Sequence, residues 1–405
     1  MLPFPPETGP LLIAGATPVA LGPHAGPIDI LVDADGRVAA AGPNLAAPEG
    51  ARRIEAKGAY VSPGWVDLHA HVWYGGTDIS IRPAVCGLER GVTTIVDAGS
   101  AGEANFHGFR EYVIEPARER IKAFLNIGSI GLVACNRVSE LIDMRSIDID
   151  RTLAVIEANR DVIIGVKCRA SGVIVGSWGI TPLRIAKKLA RVAGLPLMVH
   201  VGEPPPLYDE VLEVLDPGDV VTHCFNGKPC GNIVEDETLF ALAERCAAEG
   251  VRLDVGHGGA SFSFRTAEIA IERGLLPFSI STDLHARSLD SPVWDMGTTM
   301  SKLLAVGMPF EKVIEASTLA PMSVIGLPTE GLLAKGARAE FTVFGREASD
   351  LTIRDSMGHE AVLRETIVPR WTVMGGTAVK ASPYRPHAAA GEGAACPHCG
   401  WVTAR

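Results

Sequence analysis

The stretch "GWVDLHAHVWYGG", residues 64–76, decides how the rest of the chain is read. It is an apolar, β-prone run that finishes in two histidines one residue apart, His69 and His71. Side chains on a strand alternate faces with a period of two, so these two imidazoles point to the same side. A pair of imidazoles at i and i+2 on an inward face can grip one metal ion together. That reading needs further ligands at the ends of other strands.

Such strand ends recur downstream. Short β-rich runs closing on a polar residue lie at 61–71, 93–100 ("TTIVDAGS"), 121–129 ("IKAFLNIGS") and 163–169 ("IIGVKCR"). Four more follow at 195–201 ("LPLMVHV"), 219–225 ("DVVTHCF"), 251–257 ("VRLDVGH") and 278–285 ("FSISTDLH"). Helical patterns separate most of them. "PLRIAKKLARVAG" (182–194) has Pro near its start and Gly at its end, and "DETLFALAERCAAEG" (236–250) opens acidic and closes on Gly. Eight β-runs alternating with helices predict an α/β fold, a (β/α)8 TIM barrel. The alternative, an open doubly wound sheet, lacks the Gly-rich phosphate turn after its first strand.

The flanks are β without helix. "IDILVDADGRVAAAGP" carries an Asp35-Gly36 hairpin signal, and "ARAEFTVFG" and "WTVMGGTAVKAS" lie near the C-terminus. Residues 1–62 and 331–385 are therefore expected to form one small β-sandwich around a barrel at 63–330. Residues 386–405, rich in Ala and Gly, read as a flexible tail. Within it, Cys396 and Cys399 make a lone CxxC around His398. A structural zinc needs four ligands and no second pair lies nearby, so a loose tail is the preferred reading.

Composition narrows the function class. The 405 residues can bury a large core, and 47% hydrophobic with 21% charged residues is ordinary for a soluble enzyme. The net charge of −10 comes with no basic run, which argues against nucleic acid and anionic membranes as partners. No apolar run reaches 18 residues, and "LLIAGATPVALG" has no basic leader, so neither a membrane span nor a signal peptide is expected. Eight scattered cysteines read as free thiols of a cytoplasmic protein.

The last polar residues of the runs, in order, are His69, His71, Lys167, His200, His223 and Asp283. Barrel enzymes assemble their sites from the C-terminal ends of the strands. Imidazoles with a carboxylate suit Zn2+ and also Mn, Fe or Co. Taken singly, each residue has an ordinary structural reading: a hydrogen-bonded rim histidine, an ion-paired lysine, or Asp283 as a helix cap. Six at the expected ends of the expected strands form a joint signal.

With that set, the sequence resembles the amidohydrolase superfamily of metal-dependent hydrolases, over about residues 10–380. "GWVDLHAH" matches the family's HxH strand, and Lys, His, His and Asp follow in the family's order. The resemblance implies two divalent metal ions, zinc foremost: His69, His71 and Asp283 on one, His200 and His223 on the other. It further implies that Lys167, carboxylated by CO2, bridges them together with a hydroxide, and that Asp283 is the catalytic proton shuttle. An ammonium cannot ligate a cation, whereas a carbamate can. Within the superfamily the closer resemblance is to the deacetylase, dihydroorotase-like branch, through "HAHVWYGGTD", "SGVIVGSWGITP", "VHVGEPPPLYDE", "THCFNGK" and "DVGHGGASFSF". That branch implies a small-molecule substrate, an ester or amide of a small acylated carboxylic acid such as an O-acetyl α-hydroxy acid of the (R)-mandelate kind or an N-acyl amino acid.

Two alternatives remain open here: a cyclic-amide hydrolase of the dihydroorotase or hydantoinase type, and a non-catalytic protein on the same fold. Dihydroorotases carry an Arg two residues after the second His, where this chain has Trp73. For substrate contacts the sequence offers Arg169, two residues past Lys167, with Tyr74, Asn226, His257 and His285 as further candidates. Homo-oligomers are common among such barrels, and no interface is legible in the sequence.

Overall fold

The computed structural model describes residues 9–386. Five strands precede the barrel: β1 (Leu11–Pro18), β2 (Ile28–Val32), β3 (Val38–Gly42), β4 (Arg52–Glu55) and β5 (Tyr60–Pro63). Seven parallel strands then run side by side: β6 (Trp65–Ala70), β7 (Val92–Gly102), β8 (Arg120–Asn126), β9 (Ile163–Ala170), β10 (Leu197–Val201), β11 (Val220–Thr222) and β12 (Arg252–Asp254). The eighth position is filled by an extended segment that makes single bridges, Ser279 to Asp254 on one edge and Leu284 to Ala70 on the other. The sheet curls and closes through this segment, as a TIM barrel requires. The eighth β-run of the sequence is thus present in place but too irregular to form a ladder.

The barrel helices follow from their sequence. Thr181–Ala193 starts with Pro182 in its first turn and stops at Gly194, whose φ of +66° is the left-handed cap that glycine tolerates. It buries Leu183, Ala186, Leu189, Ala190 and Ala193, at three- and four-residue spacing, against the sheet. Glu237–Ala248 is capped by Asp236, whose side chain accepts from the Thr238 amide.

After the barrel, β13 (Glu340–Arg354) and β14 (Glu360–Met374) form one long antiparallel hairpin, and β15 (Thr377–Lys380) pairs with β14. β13 pairs with β5, so the two chain ends share one eight-stranded sheet, in the order β15-β14-β13-β5-β1-β2-β3 with β4 beside β1. The sheet is mixed, because β1 runs parallel to both β4 and β5. β2 and β3 form the hairpin expected at Asp35-Gly36. A second core of Leu11, Ile13, Ile30, Val61, Phe341 and Val343 holds these strands together, separate from the barrel's main core.

The far end of the long hairpin reaches the barrel. Asp355 accepts from the Phe264 amide at 3.0 Å, and Ser356 Oγ donates to Gly258 O at 2.8 Å. The small domain therefore braces the loop that follows β12. The six cysteines among the described residues are free, and no helix of the described residues is long and apolar enough to cross a membrane. The tail beyond Pro386, with the Cys396–Cys399 pair, lies outside the described residues.

Candidate metal centre

A cavity of about 380 Å³ opens at the C-terminal ends of the barrel strands. All six strand-end residues, His69, His71, Lys167, His200, His223 and Asp283, line it. One ligand atom from each of His69, His223 and Asp283 lies within 4.8 Å of the others. His71 joins them through Asp283: its Nε2 is 3.1 Å from Oδ1, and His69 Nε2 is 3.3 Å from the same oxygen. The His200 ring stands edge-on to that of His223, with centroids 4.4 Å apart.

Two of these residues have a strained backbone. His223 has φ of +71° and Asp283 of +48°, in the left-handed region that residues with a Cβ rarely enter. Such outliers concentrate at functional sites, where the surroundings hold a side chain in a required direction.

Hydrogen bonds fix the imidazole protons. His223 Nδ1 lies 2.6 Å from the Gly256 carbonyl, which only accepts, so Nδ1 carries the proton and Nε2 is a bare lone pair. That Nε2 is buried with no hydrogen-bond partner. Burial lowers the pKa of His223 to about 3 and holds His69 and His200 well below the ordinary histidine value, so these rings are neutral. Burial alone would raise the Asp283 carboxyl, but the neighbouring His69 and His71 outweigh it and keep the group ionised.

Lys167 is almost completely buried, and among the described residues its Nζ meets only His69 Nε2 and Met198 Sδ, each at 3.4 Å. No carboxylate of the described residues is within ion-pair distance, and burial brings its pKa down to about 8. A buried amine with no anionic partner, an orphaned imidazole nitrogen and an ionised carboxylate form a donor set that fits a divalent cation. No metal forms part of this structure.

The five substrate candidates divide. Arg169 and His285 line the cavity; Tyr74, Asn226 and His257 do not. Tyr74 lies under the Arg82 guanidinium, 3.9 Å from its ring centroid. Asn226 is spent on its own loop, donating to His223 O and Gly231 O while accepting from the Lys228 amide. His257 donates from Nδ1 to Gly258 O and receives the buried Lys302 ammonium on Nε2 at 2.8 Å. The polar side-chain atoms of Asn226 and His257 are thus already bonded within the fold, whereas Tyr74 is set apart from the cavity with its ring against Arg82. His285 differs from the other cavity histidines. Its Nδ1 accepts from the Arg287 amide at 3.2 Å, so in the neutral ring Nε2–H is a donor.

Several contributors were not singled out from the sequence. Thr222, Asp254 and Ser100 support the histidines, Glu140 holds Arg169, and Lys228 and Arg287 add cations to the lining. Asp254 and Thr222 sit inside the β-runs 251–257 and 219–225, where no feature of the sequence sets them apart from other polar strand residues. Trp73 packs its ring against Phe109 and does not line the cavity.

No protein-family model matches the chain. An Agrobacterium fabrum protein named deacetylase is 62% identical over 385 residues, 95% of each chain. A Brucella anthropi deacetylase is 63% identical over 94% of this chain and 96% of its own. The chain belongs to the amidohydrolase superfamily, in its deacetylase branch. Solved structures agree on the amidohydrolase fold. A crystal structure described as a dihydroorotase has a TM-score of 0.91 at 62% identity, covering 94% of this chain and 100% of that one. Another, described as an adenine deaminase, has a TM-score of 0.84 at 35% identity, covering 91% and 99%. This amidohydrolase is therefore a hydrolytic enzyme, and the reading of the fold as a non-catalytic relic falls away.

Proposed function

We propose that this amidohydrolase deacetylates small acylated carboxylic acids, as an O-acetyl ester of an α-hydroxy acid or as an N-acyl amino acid. The observation that carries the reading is the convergence of six strand-end residues on one cavity whose remaining lining combines cationic and apolar groups with neutral polar ones such as Asn136 and Ser261. Arg169, Lys228 and Arg287 stand there with Ile79, Leu132 and Ala260, while Asp283 is the one carboxylate of the lining. An anionic substrate with a modest apolar side group suits such walls.

Two divalent ions, zinc foremost, would be held by His69, His71 and Asp283 and by His200 and His223, with Lys167 between them as a carbamate. Metals so held lower the pKa of water and polarise a carbonyl. The protein's own groups do the rest. The neutral imidazoles offer lone pairs because Gly256 O and the Thr222 hydroxyl take their other nitrogens. Asp283, ionised and aimed into the cavity, accepts the proton of the attacking water and delivers it to the leaving oxygen or nitrogen. His285 Nε2–H is a donor for a substrate oxygen.

The second reading, hydrolysis of a cyclic amide, draws on the neighbour described as a dihydroorotase. Trp73, at the position of that group's carboxylate-gripping Arg, weighs against it by packing on Phe109 outside the cavity. The decisive experiment measures metal per chain and hydrolysis of racemic O-acetylmandelate, N-acetyl amino acids, hydantoins and dihydroorotate. Two equivalents of metal with stereoselective deacetylation is the expected result. Two metals with turnover of ring amides alone moves the assignment to the second reading. One metal or none, in protein grown with zinc and bicarbonate, overturns the bridging role of Lys167.

A further inference from the structure

Arg169 ends β9 and lines the cavity, yet its guanidinium is gripped along one edge only. Nε donates to Glu140 Oε1 at 2.7 Å and Nη2 to Glu140 Oε2 at 2.5 Å. Glu140 comes from the long connection between β8 and the helix Ile149–Ala158, and its side chain is 0% exposed. This fork-to-fork contact fixes the plane of the guanidinium. Nη1 makes no hydrogen bond to any described residue, and it is not among the sealed polar atoms of the interior. The free edge of Arg169, Nη1 with the outer hydrogen of Nη2, is thus the part that the cavity receives.

The other two cations of the lining are less suited to a rigid contact. Lys228 Nζ is already paired with Glu203 Oε1 at 2.9 Å, and a lysine offers a point charge rather than a fork. Arg287 is exposed at the rim and has no ion pair among the described residues to hold it. An ion pair serving only to tie the loop to β9 would need neither a free guanidinium edge nor a place in the cavity wall.

We propose that Arg169 is the specificity-determining residue of this site, reading the free carboxylate of the substrate through its Nη1 edge, and that Glu140 is the positioning residue that aims it. The assignment rests on the acylated-acid reading above. It narrows the substrate class to acids whose carboxylate is free, and it sets esterified or amidated acids aside as poor substrates. A guanidinium that has lost its water to the cavity wall leaves a neutral partner with an unpaired donor, which is how a buried polar group rejects an analogue.

The test compares two probes of equal shape and different charge. Kinetics use O-acetyl-(R)-mandelate against its methyl ester, and calorimetry on zinc-loaded protein uses (R)-mandelate against (R)-mandelamide. The wild-type protein is expected to favour the acid in both. In Arg169→Met the acid-to-ester ratio of kcat/KM falls by roughly 10–100-fold, the worth of one charge-assisted pair. Glu140→Gln lowers the same ratio by a smaller factor and acts mainly through KM, and Arg169→Lys does not restore it. The double variant R169M/E140Q, which leaves no buried charge alone, gives the same answer if the single variant fails to fold. Equal losses on acid and ester, or an unchanged ratio, would overturn the proposal. If the wild-type protein cleaves neither ester, the acylated-acid reading fails on its own, while the mandelate-to-mandelamide preference and its fate in Arg169→Met still decide the part played by Arg169.

Discussion

The Thr222 hydroxyl lies 2.8 Å from His69 Nδ1. The same hydroxyl donates its single proton to Asp254 Oδ2 at 2.8 Å, so it can only accept from His69, and the imidazole proton is pinned on Nδ1. The lone pair on Nε2 therefore faces the cavity. Thr222→Val removes the acceptor and frees the ring to turn or change tautomer. Metal affinity is expected to drop about 10–100-fold, as for other partners that orient a ligating histidine. Chelator competition followed by elemental analysis measures it; unchanged affinity would mean that Thr222 serves only Asp254.

Asp283→Asn keeps the shape of the side chain and removes its ability to take a proton. The variant should fold with an unchanged circular dichroism spectrum and lose at least about 10²–10⁴-fold in kcat, the usual range for a positioned acid–base group. Retention of more than a tenth of the wild-type kcat would strip Asp283 of the shuttle role.

Gly258 has φ of +55°, and a Cβ there would stand 2.3 Å from Asp283 Oδ2. Gly258→Ala must either push the carboxylate aside or shift the loop held by Ser356 and His257. A loss of about 1–3 kcal/mol in stability is expected from the backbone alone, together with reduced metal content. Thermal melting of protein with and without added zinc separates the two effects.

Lys302 is fully buried, and its Nζ bonds His257 Nε2, Pro292 O at 2.6 Å and Arg354 O at 2.8 Å. Burial lowers its pKa from 10.5 to about 7. Over that window the unfolded chain holds the proton that the folded chain gives up, so this group makes stability rise with pH between about 7 and 10.5. The Asp355 carboxylate opposes the shift without overcoming it. Lys302→Met should remove this dependence and, by leaving two carbonyls without a donor, destabilise the protein by about 2–4 kcal/mol. Urea unfolding of both proteins at pH 7 and pH 9 is the measurement; identical pH slopes would remove Lys302 as the source.

The barrel and its six strand-end residues were legible because both obey period: β-runs alternate with helices, and a chemically distinct residue ends each run. The pairing of β1 with three partners was not, since register between strands that far apart in sequence leaves no local mark. Asn226 and His257 stand outside the cavity for one shared reason, and Tyr74 for another, its ring lying against Arg82. Nearness in sequence to a strand end says nothing about whether a polar side chain has already been claimed by a backbone carbonyl or a buried lysine. Glu140 was invisible from the other side: it stands in an irregular connection, and only the folded chain brings its carboxylate to Arg169.

The sheet shared by the two chain ends has a consequence for biosynthesis. β5 is made early, but its partner β13 emerges about 280 residues later, and the hairpin tip that braces the Gly258 loop comes later still. At translation rates of about 5–20 residues per second, one edge of β5 stays unpaired for roughly 14–56 s. A nascent chain stalled anywhere in the barrel thus carries an open strand edge and an unbraced cavity until the last hairpin leaves the ribosome.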